Sequence, residues 1–92
     1  MVEDVAVPYR STIEFDSLTV PAGLLRDHRI KAGSWGLLRV TAGAVLYEAG
    51  ETCSKRLTQG ETWVIPPELV HHVTLEPGAR FLVEFYDHDP CA

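Results

Sequence analysis

Glycine and proline interrupt this chain about every ten residues, and that spacing limits its possible folds more than any other feature. Segments so short suit strands better than helices. Between the breaks lie stretches rich in β-branched and aromatic residues, with no long apolar stripe at helical spacing. The predicted strands are Ser11–Phe15, Leu24–Ile30, Trp35–Thr41, Ala44–Glu48, Lys55–Leu57, Thr62–Ile65, His71–Leu75 and Arg80–Tyr86. Pro77-Gly78 marks a type II turn, because proline presets φ at the first central position and glycine accepts positive φ at the second. A helical turn is expected at most in the N-terminal residues or at Pro67–Leu69. Short strands at this spacing predict an all-β sandwich or barrel, and 92 residues give one domain, spanning 1–92, with one core.

Charge narrows the partners. Eight basic side chains stand against 13 acidic ones, a net charge of -5 that repels phosphate backbones. Arg26, Arg29 and Lys31 form the densest basic stretch, and Asp27 interrupts it, so no nucleic-acid partner is expected. No apolar run approaches the roughly 20 residues of a membrane-spanning helix. The start, Met1-Val2-Glu3-Asp4, is acidic where a secretory signal would be basic, so a cytoplasmic location without membrane contact is expected. Cys53 and Cys91 lack C-x-x-C spacing and are expected to be free thiols.

Strand alternation then sorts the candidate site residues by face. His71 shares a face with Val73 and Leu75 and is predicted to look inward, while His72 and Thr74 look outward. His28 shares a mostly apolar face with Leu24, Arg26 and Ile30, so two histidines from separate strands converge on the interior. The competing roles are a core histidine satisfied by backbone groups for His71 and a half-exposed residue near a turn for His28. In the last strand, Phe81, Val83 and Phe85 form one face and Leu82, Glu84 and Tyr86 the other. If the first row fills the core, Glu84 points away from any cavity; if it meets a second subunit or a covering segment, Glu84 points inward. Arg39 either reaches an anionic ligand or forms a rim salt bridge. Trp35, Trp63, Tyr47 and Tyr86 are expected as core or pocket wall, and His88 as part of a solvated tail.

The stretch from Gly60 through Pro66 to His71 resembles the second conserved motif of cupins: Gly, five residues, Pro, four residues, then a metal-binding His. Glu68 replaces the glycine usually found two residues after the proline, and Leu75 stands where an Asn would follow. Of the first motif, Gly43 and His28 remain, and Gly36 falls where a Glu would be expected. His28, Lys31-Ala-Gly-Ser-Trp35 and Leu38-Arg-Val-Thr-Ala-Gly43-Ala-Val-Leu-Tyr47, together with the terminal Phe81–Tyr86, resemble the TehB/YeaR-like cupin family over about Thr19 to Asp87. That family includes the N-terminal domain of tellurite-resistance TehB proteins.

The resemblance implies a small jelly-roll β-barrel with a metal site built from His28, His71 and Glu84, and a link to tellurite, metalloid or oxidative-stress resistance. Two imidazoles and a carboxylate suit a divalent ion such as Zn, Fe, Mn, Ni or Cu, with positions left open for a small-molecule or oxyanion ligand. No S-adenosylmethionine loop is recognisable, so methyl transfer is not expected of these residues. Two other functions compete: a non-catalytic binding or sensing module, and a structural domain that forms a homodimer through the Phe81/Val83/Phe85 row.

Overall fold

A computed structural model describes residues 7–91; the acidic start of the chain, and any helical turn there, lie outside the described residues. The strands are β1 (Arg10–Ser11), β2 (Trp35–Ala42), β3 (Ala44–Ala49), β4 (Cys53–Thr58), β5 (Thr62–Ile65), β6 (His71–Leu75) and β7 (Arg80–Tyr86). They form two antiparallel sheets, one ordered β1-β7-β2-β5 and the other β4-β3-β6. This is the expected all-β jelly-roll class, although the two sheets do not join into one closed barrel. Among the described residues, no helix is long and apolar enough to cross a membrane.

One core lies between the sheets, and alternation fills it. Leu38 and Val40 of β2, Val45 and Tyr47 of β3, Leu57 of β4 and Phe81 of β7 are all essentially inaccessible. Phe81 and Val83 are therefore interior, which overturns that row as a dimer surface. A homodimer would have to use another face. Tyr86 is buried, Trp63 is half-buried against Tyr47, and His88 is exposed beside Asp87, as expected of each.

The chain changes sheets at Gly43. The pairing of β2 with β7 slips between Val40 and Ala42, and a single residue then separates β2 from β3. A bulge followed by a residue in the left-handed region turns a strand sharply enough to leave its sheet. Gly43 has φ 65°, and a Cβ there would stand 2.9 Å from Ala79 Cα, so glycine is required twice over.

Six of the predicted strands are present, three with their predicted ends and three extended by one to three residues. The other two differ. Ser11–Phe15 is reduced to β1 and an isolated bridge from Phe15 to Phe81. The Thr12 hydroxyl accepts the Val83 N–H at 3.0 Å, so a side chain takes a bond that a backbone carbonyl would otherwise supply and splits the strand. Leu24–Ile30 is not a strand. Ala22–Leu25 is a 3-10 turn, with Leu24 N–H donating to Pro21 C=O at 3.0 Å, and only His28 pairs with a neighbour. The Pro21-Ala22-Gly23 turn signal thus runs on into the residues read as a strand. Pro67-Glu68 is a turn without helix, and Glu68 has φ 63°.

Candidate ligand pocket

His28 reaches the site on an extended connection and His71 at the start of β6. Their backbones bond reciprocally: each N–H donates to the other's carbonyl at 2.8 Å. That double bond fixes the two Cα positions whatever their side chains do. The rings lie 5.5 Å apart, centroid to centroid, in an edge-to-face arrangement. The sequence expectation that these two imidazoles meet corresponds to this geometry, though His28 arrives without a strand.

Each ring has a distinct state. The Nδ1–H of His71 donates to the Leu69 carbonyl at 2.9 Å, because a carbonyl can only accept. That bond fixes the tautomer and leaves the Nε2 lone pair free. His71 is buried, and burial pushes it below its ordinary pKa; the Leu69 bond opposes this and nearby His28 reinforces it. Its ring is therefore neutral near pH 7, as a metal or ligand acceptor needs. Tyr47 stacks on its other side at 5.5 Å. His28 Nδ1 is buried without a hydrogen-bond partner among the described residues. An unmet buried nitrogen of this kind costs about 1–3 kcal/mol, and a cation or donor placed beside it would recover that.

Both rings line a cavity of about 280 Å³, and His28 stands where it opens into a neighbouring hollow. The wall of the cavity is mostly apolar and includes Phe15, Leu24, Ile30, Ile65, Val83 and Phe85. A second hollow, of about 430 Å³, adjoins it through Arg10, His28, Ile30 and Phe85.

Glu84 is elsewhere. Because Val83 and Phe85 line the cavity, alternation sends Glu84 to the opposite face of the sheet, where it accepts from Arg39 Nη2 at 2.9 Å and the Tyr86 hydroxyl at 3.2 Å. Arg39 is thus in a salt bridge and does not line the pocket. No other carboxylate replaces Glu84: among the described residues, no three of His, Cys, Asp and Glu converge closely enough to hold an ion. At Gly36, where the cupin motif would carry Glu, a Cβ would meet Ile30 Cδ1 at 2.7 Å, so an isoleucine methyl fills the space of the missing acid. His72 faces outward and bonds Glu48 at 3.1 Å, as alternation predicts.

Arg10, Arg29 and Lys31 at the mouth were not legible as pocket residues. Arg10 reaches the pocket only because β1 pairs with β7 opposite Phe85, a contact between distant parts of the chain. The basic stretch around Lys31 was visible, but not what it faces.

The family model of the TehB-like domain matches residues 10–83. A crystal structure of a protein from E. coli strain K12 superposes with a TM-score of 0.80 at 26% identity, covering 94% of each chain. TehB from Haemophilus influenzae also superposes at 0.80, with 18% identity over 90% of this chain and 32% of that one. KdgF from a Halomonas species gives a TM-score of 0.56 at 25% identity over 67% of this chain and 56% of the other. No curated protein matches the chain.

Proposed function

This chain belongs to the TehB-like domain family, and on that footing we propose that it is a cupin-type binding protein whose His28 and His71 hold a divalent metal ion in the pocket. The observation that carries the proposal is the buried Nδ1 of His28, partnerless among the described residues, beside a histidine whose tautomer leaves Nε2 free. Both nitrogens suit Zn, Fe, Mn, Ni or Cu, and the backbone bonds between the two residues hold their Cα atoms as neighbours. A bound ion would supply Lewis acidity toward a carbonyl or oxyanion ligand. The chain's own residues position that ligand: the apolar wall excludes water, and the His71–Leu69 bond keeps the imidazole from turning away. A role in tellurite, metalloid or oxidative-stress resistance belongs to the same proposal, through the binding of a small molecule or oxyanion.

A second reading, a binding or sensing module without turnover, is favoured by one observation. Among the described residues, no acid completes a three-ligand site in the pocket, and two imidazoles retain an ion less firmly than three ligands. Elemental analysis after reconstitution and desalting tests the metal proposal, with His28→Ala and His71→Ala as controls. The wild type is expected to retain metal and both variants to lose it; equal content in all three removes the site. Turnover of any substrate, abolished by His71→Ala, would remove the sensing reading.

A further inference from the structure

The pocket is basic in an acidic protein. Arg10, Arg29 and Lys31 line the outer hollow, and among the described residues no Asp or Glu lines either it or the inner cavity. The chain nevertheless carries 13 acidic side chains against eight basic ones. Three other arginines, Arg39, Arg56 and Arg80, each bond a carboxylate, at 2.9, 2.6 and 3.4 Å. Among the described residues, Arg10, Arg26, Arg29, Lys31 and Lys55 have none within salt-bridge distance, and Arg10, Arg29 and Lys31 of these share the one hollow. Cations left unmatched and gathered at one cleft focus a positive potential there.

The inner cavity asks for something different. Its wall is mostly hydrocarbon, so a bare inorganic oxyanion placed there would lose its hydration with few donors to replace it. Arg10 joins the two regions. Its guanidinium lies over the Phe85 ring, 4.7 Å from the centroid, which holds the planar donor fork at the boundary between apolar wall and basic mouth.

We infer that the pocket binds an organic carboxylate whose apolar body is small enough, such as one aromatic ring, to enter a cavity of about 280 Å³. The carboxylate lies at Arg10, Arg29 and Lys31, and the body enters the cavity toward His28 and His71. This deepens the proposed function, since it rests on the same pocket being a ligand site, but it does not require the metal.

The test is an NMR titration of the metal-free chain, dialysed against EDTA, with phenylacetate, its neutral counterpart phenylacetamide, and inorganic phosphate. Phenylacetate is expected to move the amide signals of Arg10, Ile30, Lys31 and Phe85, and to bind at least ten-fold more tightly than either of the others. Arg10→Ala and Lys31→Ala should each weaken it at least five-fold; Lys31 is exposed and outside every strand, so that variant leaves the sheets intact. Equal binding of phenylacetamide would overturn the role of charge, and equal binding of phosphate the role of the apolar body. Unchanged affinity in both variants would overturn the location. Nickel reconstitution of the same samples separates the two proposals. Metal uptake without carboxylate binding sinks only this inference, and carboxylate binding without metal uptake sinks only the metal site.

Discussion

Replacing His28 with phenylalanine should make the metal-free protein more stable while abolishing its response to metal. The backbone bonds between His28 and His71 do not involve the side chain and survive the change. The edge-to-face contact with His71 is open to a phenyl ring as well as to an imidazole. The adjoining cavity of about 280 Å³ absorbs the extra carbon, so no overpacking cost is expected. What disappears is the buried Nδ1 that has no partner. Because the residue as a whole is half-exposed, the low end of the range applies, a gain of about 1 kcal/mol, or roughly 4–8 °C in Tm for a domain of this size. Metal should reverse the ranking. At a hundred times its Kd, a ligand of the native state adds about 2.7 kcal/mol to the wild type and nothing to a variant that has lost the site. Thermal unfolding followed by circular dichroism, in EDTA and then in nickel, reads both effects. A His28→Phe protein no more stable than wild type in EDTA would mean that the nitrogen is satisfied after all, and the main argument for a cation there would fail.

Three further outcomes are expected. Burial pushes the Tyr47 hydroxyl up to about 12 from an ordinary value of 10.0. The unfolded chain therefore releases this proton first, so metal-free stability holds below pH 10 and falls by about 2 kcal/mol as pH rises to 12. Tyr47→Phe should lack that component in chemical denaturation across this range, and equal pH profiles would refute the assignment. Glu84→Gln should leave metal content unchanged and cost less than about 1 kcal/mol, since it removes one charge of a partly exposed pair with Arg39; loss of metal would return Glu84 to the site. Glu68→Gly should stabilise the fold by about 0.5–1 kcal/mol, because φ 63° strains any side-chain-bearing residue by more than glycine loses in entropy. Urea midpoints compare the two, and a lower midpoint for the glycine variant would contradict the strain.

Local chemistry was enough to locate most strands and to turn the right side chains inward. Period-two alternation put His71 with Val73 and His72 opposite, and the structure agrees because β6 is flanked closely enough by β3 to hold its pleat. The same rule left the last strand undecided, since both of its faces are apolar. Burying Phe81 and Val83 under the other sheet settled it and carried Glu84 to the far face, to Arg39. The rule failed at Leu24–Ile30, where one bridge replaces a ladder: strands need partners along their length, and partner availability is a property of the assembled fold. Two features therefore belong to tertiary structure alone. One is the Nδ1 of His28, which has no partner among the described residues because none of them brings a polar group beside it. The other is the gathering of Arg10 with Arg29 and Lys31, about twenty residues apart in the chain, which requires β1 to close against Phe85. Side-chain direction is encoded locally, whereas the company a side chain keeps is decided only when distant segments pack.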